Sequence, residues 1–243
     1  MMMRRLVVIA CACLALAAGA QATEFSADEV ASFQGDRESG RLYVKSPAVT
    51  RSESMGMITI NKYPFIYQLF EDTKRYVVTN VEESSSGASG ELRPWESGDF
   101  QSWVAAQGLT EQGAEKIQGF DTRIYQGEVV LEAGLPPMPI KVWYAQRLDY
   151  PVRHEVTVPA NAHMGLGVET VTVQLENIEI GPQPDQLFEL PDGYTEVASL
   201  HEAMGLSEML PGMFDDGSGP SAEQMEEMLR QLQQMLQDGG GHP

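Results

Sequence analysis

Residues 171–197 read VTVQLENIEIGPQPDQLFELPDGYTEV, and this stretch decides the fold. Val171, Val173 and Leu175 fall on one face of an extended chain and Thr172, Gln174 and Glu176 on the other, the period of two that a half-buried strand shows. Asn177 breaks the phase, and Ile178 and Ile180 resume the apolar side one residue late, as a β-bulge does. Gly181-Pro182 stops the strand. Phe188, Pro191 and Gly193 then punctuate a last short strand. A strand of this kind needs antiparallel neighbours, and the chain upstream supplies them.

Glu24 to Phe33 reads as a first strand or entry segment. RLYVK at 41–45 puts Leu42 and Val44 on one side, between Gly40 and Pro47 as boundaries. The runs 55–60, 65–70 and 75–81 favour β. They are separated by Asn61-Lys62-Tyr63-Pro64 and Glu71-Asp72-Thr73-Lys74, both of hairpin length. Residues 82–98, rich in Ser, Gly and acid, read as a loop. Asp99 is placed to cap a helix over 100–107 that Gly108 ends, with Phe100, Trp103 and Val104 at i, i+3, i+4 as its buried stripe. Strands are expected again at 122–126, 128–132, 140–148 and 152–158, with a stiff turn at 134–139. About ten strands and one internal helix predict an α+β domain built on a single antiparallel sheet.

The ends of the chain differ in kind from this middle. Arg4-Arg5, the apolar run Leu6 to Ala18 and Ala20-Gln21-Ala22 have the three parts of a secretory signal peptide, 1–22. Cleavage near Ala22 would release a periplasmic or secreted protein. Cys11 lies too early, inside the apolar run, to be a lipidated cysteine. Both cysteines, Cys11 and Cys13, are in the leader, so the exported part has no disulfide, thiol nucleophile or Cys-ligated metal. Taking Arg4 and Arg5 from 16 basic residues leaves 14 against 35 acidic ones, a net charge of −21. Such a surface repels nucleic acid and anionic headgroups. No second apolar run is long enough to span a membrane.

Composition changes again after Val197. Ser199 with Glu202 forms a capping box for a short helix, and a Gly/Pro-rich linker follows within 198–220. Ser221 with Gln224 caps a last helix over 221–238. Met225, Met228, Leu229, Leu232, Met235 and Leu236 form one apolar stripe on a helix otherwise rich in Glu and Gln. Residues 239–243 read as a disordered tail. The stripe can dock on the chain's own sheet, pair with a second copy, or act as a Met-rich face for another envelope protein.

Two segments carry a family resemblance. Gly40-Arg41-Leu42-Tyr43-Val44-Lys45-Ser46-Pro47 resembles the G-x-L-x-V-K-x-P strand of the periplasmic outer-membrane lipoprotein carriers, the LolA-like family. Phe188, Pro191 and Gly193, spaced F-x-x-P-x-G, are similar to the end of that domain. The resemblance covers residues 23–197 and is nearer to uncharacterised exported DUF4412-like relatives than to the carriers themselves. It implies a curved, incomplete antiparallel barrel around one or two helices, with an apolar concave face able to hold acyl chains. Ser46 stands where the carriers have a functional arginine, which sets lipoprotein transfer apart from what is expected here.

No catalytic constellation survives inspection. His154, His163, His201 and His242 lack partners at metal-ligand spacing. The Ser84–Gly90 run contains no nucleophile elbow. Asp215–Gly219 would place Phe214 and Met225 where a calcium loop needs carboxylates. The expectation is an exported, non-enzymatic protein without a cofactor. It would bind a lipid, acyl chain or other hydrophobic small molecule. From alternation, Leu42, Val44, Met57 and Trp143 are the candidates for the ligand face. The alternative is a structural or interaction protein of the envelope, acting on a partner or on itself through the stripe at 225–236.

Overall fold

The computed structural model describes residues 23–83, 94–130, 136–158 and 169–206. The expected signal peptide, most of the linker, the helix over 221–238 and the 239–243 tail lie outside the described residues. The order of elements is β1 (Phe25–Phe33), β2 (Asp36–Ser46), β3 (Val49–Ser54), β4 (Met57–Lys62), β5 (Phe65–Phe70), β6 (Arg75–Asn80), a 3-10 turn at Pro94–Ser97 and α1 (Phe100–Gln107). It continues with β7 (Thr110–Ile117), β8 (Phe120–Val129), β9 (Met138–Ala145), β10 (Tyr150–Val158), β11 (Glu169–Ile180), a 3-10 turn at Asp185–Phe188, β12 (Thr195–Glu196) and α2 (Leu200–Ala203). The strands form one 12-stranded sheet in the order β12-β6-β5-β4-β3-β2-β1-β11-β10-β9-β8-β7. Every pairing is antiparallel except that of β12 with β6. The sheet is open: β7 and β12 do not pair with each other.

β11 lies mid-sheet against β1, as its length and alternation require, and the bulge falls where the sequence places it. Ser26 pairs with Glu179 and Asp28 with Glu176, so Asn177 and Ile178 together face the single residue Ala27. Asn177 takes the left-handed conformation, φ 50°, which Asn tolerates better than most residues. The helix is also as read: Asp99 accepts from the Ser102 N–H, and Gly108 ends it at φ 65°.

Several boundaries differ from the expectation. β2 begins at Asp36, so Gly40 lies inside the strand and does not precede it. The runs 122–126 and 128–132 are one strand, β8, through Gly127 to Val129. A Cβ on Gly40 would meet the Glu53 carbonyl oxygen at 2.6 Å, and one on Gly127 would meet Leu109 Cδ2 at 2.6 Å. These glycines mark close approach, not chain reversal. β3 and β7 were not foreseen; VTRSES and TEQGAEKI carry almost no apolar alternation. Met55 belongs to a turn: Met55 (φ 50°) and Gly56 (φ 75°) are both left-handed, the two-residue loop that suits strand twist.

The sheet curls strongly, and one side chain shows it. Glu96, in the first 3-10 turn, accepts from the Thr50 hydroxyl of β3 at 3.2 Å and from the Tyr150 hydroxyl of β10 at 2.8 Å. Its main-chain oxygen accepts from Asn61 Nδ2 of β4 at 3.1 Å. β3 and β10 are four strand positions apart, roughly 19 Å in a flat sheet. Only a trough folded around Glu96 brings both hydroxyls to one carboxylate. The fold is the expected incomplete barrel, an open antiparallel sheet with few helices.

Candidate functional site

The concave side of the trough has two unlike halves. Over β8 to β10 it is filled by the chain itself. Phe100 of α1 stacks on Tyr144 at 4.2 Å and meets Tyr125 edge-on at 5.4 Å. Trp103 packs against Trp95, and Trp95 against His154 at 4.9 Å. Burial together with a hydrogen bond to Asp149 pushes the Tyr144 hydroxyl well above the ordinary tyrosine range, so it stays a neutral core group. Leu42 and Val44 belong to this filled part. They pair with Ala27 and Phe25 and are 0% and 1% exposed, so no ligand reaches them without displacing the core.

The other half is the concave face of β4 to β6. Asn61 points to Glu96 on this side, so alternation puts Met57 and Thr59 on the concave face and Ile58 and Ile60 on the convex one. Register carries the face across to Phe70, opposite Met57, and to Gln68, opposite Thr59. It continues to Val77, opposite Gln68. Met57, Thr59, Gln68 and Phe70, toward the β3–β4 hairpin end of this face, are only half-buried, whereas Asn61, Ile66 and Val77 of the same face are buried. The convex side of the same strands is closed. Ile58, Ile60 and Leu69 are packed with Tyr67, Tyr76 and Tyr194, and the turn bearing Phe188 contacts β3 and β4. Beside Met57, at the β3–β4 hairpin, a cleft of about 280 Å³ is lined by Arg51, Glu53, Met55, Met57, Ile58 and Glu71, among others.

Trp143 is not on the concave face. It pairs with Arg153, and the Arg153 guanidinium lies over its ring at 4.7 Å. The Lys141 ammonium lies over the same ring at 4.4 Å, and its Nε1–H donates to Glu115 at 2.8 Å. Its neighbour Val142 pairs with His154 and so takes the concave side. Trp143 is thus a convex-face residue sealed by charged side chains, as cation–π contacts allow. Of the four sequence candidates, Leu42 and Val44 adjoin, Met57 shares their face on β4, and Trp143 lies on the opposite surface. The partner candidates from Met225 to Leu236 lie outside the described residues.

Sequence reading missed Trp95 and Glu96, both buried, because they sit in a Ser/Gly-rich run. The usable signal was a tryptophan in an otherwise polar loop, since so large an apolar side chain is rarely left in water. Among the described residues no group of three or more His, Cys, Asp or Glu is placed to hold a metal. No described helix is long and apolar enough to cross a membrane.

No family model and no curated protein matches the sequence. Solved structures do match. An uncharacterised conserved protein from Thermus thermophilus is 12% identical, over 73% of this chain and 91% of that one, with a TM-score of 0.44. The Mycobacterium tuberculosis lipoprotein LppX is 15% identical, over 66% and 89%, at 0.35. A LolA superfamily protein from Nitrosomonas europaea is 8% identical, over 70% and 91%, at 0.34.

Proposed function

We propose that this is an exported, non-enzymatic protein of the cell envelope that binds a lipid, an acyl chain or another hydrophobic ligand. The site is the concave face of β4 to β6. Leu42 and Val44, fully buried in the filled part of the trough, serve as core instead. The observation that carries this reading is the contrast between the halves: α1 fills one, while Met57 and Phe70 lie half-buried and side by side on the other. Binding is by removal of apolar surface from water, about 0.8 kcal/mol for each methylene covered. Thr59 and Gln68, the next pair along the same face, give a polar headgroup or ester somewhere to hydrogen-bond.

Extraction of the full chain purified from the envelope, followed by mass spectrometry, tests the reading. A lipid or other apolar molecule should co-purify in near-stoichiometric amount and be depleted from a Met57→Glu variant. A full chain that carries nothing and also ignores a hydrophobic dye contradicts it.

A further inference from the structure

The turn that fixes the curl also carries an unused donor. Trp95 is 3% exposed, and its Nε1–H has no acceptor within the chain. Among the described residues it shares that condition only with Arg153 Nε, which belongs to the convex stack on Trp143. A buried N–H without a partner is destabilising, and a bound acceptor relieves it. Trp95 lines a concave-side cavity whose other walls include Glu29, Tyr150, Val152, His154 and Leu175. The cavity is about 10 Å³, room for one water-sized group. Glu29 brings a carboxyl group to it, which disfavours an anionic guest. A guest must therefore accept from the indole, carry no negative charge and be no larger than a hydroxyl. A neutral hydroxyl meets all three conditions, because it accepts from the indole and donates to the carboxyl.

Register connects this cavity to the Met57–Phe70 patch. Glu29 pairs with Gly40. A Cβ on Gly40 would lie 3.0 Å from Ser54 Cβ, so the two positions adjoin on one face. Ser54 pairs with Met57, and Met57 with Phe70. Glu29, Gly40, Ser54, Met57 and Phe70 therefore form one row across β1 to β5, half-buried throughout. The middle of the row is glycine and serine, whose small size leaves the floor low between the cavity and the apolar patch. Three strand spacings separate Glu29 from Met57, roughly 14 Å along the sheet. An acyl chain is of that length, since it fills half of a hydrocarbon layer about 30 Å thick.

We propose that the ligand lies along this row, its tail on Met57 and Phe70 and a terminal hydroxyl in the Trp95 cavity. The hydroxyl accepts from the Trp95 Nε1–H and donates to Glu29. The ligand class is then a linear apolar alcohol, not a free fatty acid. This inference rests on the ligand reading and narrows it. A fatty acid keeps the tail contacts and forgoes the anchor.

Binding of dodecanol and of dodecanoic acid to the full chain tests it, each read near neutral pH by displacement of a fluorescent fatty acid. Wild type should prefer the alcohol. Trp95→Phe keeps an aromatic ring in place but removes the donor. It should weaken the alcohol about tenfold and leave the acid unchanged. Glu29→Gln removes the carboxyl charge and should strengthen the acid about threefold. Where Trp95→Phe fails to fold, Glu29→Gln decides. Unchanged binding of the alcohol to folded Trp95→Phe, as when water alone occupies the cavity, would overturn the proposal. So would unchanged binding of the acid to Glu29→Gln. Met57→Glu should weaken both ligands, because both share the tail contacts. If neither ligand binds wild type, the ligand reading falls together with this one. If both bind and depend on Met57 but not on Trp95 or Glu29, only the hydroxyl anchor is lost.

Discussion

At the scale of single residues, the bulge on β11 and the carboxylate of Glu96 decide most. Asn177 donates from Nδ2 to Asp28 at 2.7 Å, and Arg41 donates to the other Asp28 oxygen at 2.9 Å and to the Ser26 hydroxyl at 2.6 Å. These contacts clamp β2, β1 and β11 across the bulge. Asn177→Ala should cost about 1–2 kcal/mol in urea unfolding, from the left-handed backbone and the lost hydrogen bond together. Asn177→Gly, which keeps the backbone free, should cost less. The same contacts, the Asn177 hydrogen bond first and Arg41 second, hold the Asp28 carboxyl below its ordinary value of 3.8. A carboxyl with a depressed folded value stabilises the fold above its unfolded value and loses that contribution as pH falls through the folded one. Asp28→Asn should therefore be less stable than wild type near pH 7, with the gap narrowing as pH falls below 3.8 and through the lower folded value. Glu96 is the other fixed point. Glu96→Ala leaves the Thr50 and Tyr150 hydroxyls without this acceptor in the core and should cost about 2–4 kcal/mol in the same assay.

At the scale of elements, glycine separates what could be read from what could not. The helix, its two caps and the bulge were legible, because each is a local rule written in adjacent residues. The hairpins were legible in principle: Gln34-Gly35, Met55-Gly56 and Gln118-Gly119 are each two left-handed residues ending in Gly, a recurring turn signal. Gly40 and Gly127 look the same in sequence yet lie inside strands, because their reason is a neighbour distant along the chain. Gly40→Ala should therefore be the costlier change, since its Cβ would strike the Glu53 carbonyl oxygen of the neighbouring strand's backbone. Gly35→Ala meets nothing within 4 Å and should lose only the roughly 1 kcal/mol of its backbone preference. Thermal melts of the two variants compare them directly. β7, exposed along nearly its whole length, has no apolar pattern to read because it buries almost no side chain. Trp143 alternated correctly with its neighbours, but alternation does not tell which face of a curled sheet is concave. That is settled by where α1 and the Glu96 turn sit.

At the scale of the whole molecule, the trough is a single curled sheet whose two halves do different work. α1, Trp95 and Glu96 turn one half into a core and fix the curl. The other half keeps a half-apolar concave face without acids, inside a protein whose surface is strongly acidic. The fold follows from antiparallel pairing around β11, and the proposed binding belongs to that second half. Titration of the full chain with a fluorescent fatty acid is the most direct measure of this. Met57→Glu places a carboxylate against the acyl chain and should weaken binding at least about tenfold, or roughly 1.4 kcal/mol, while Val78→Glu on the convex side of the neighbouring strands should leave it unchanged. Equal loss in both variants, or no change in Met57→Glu, would contradict the account.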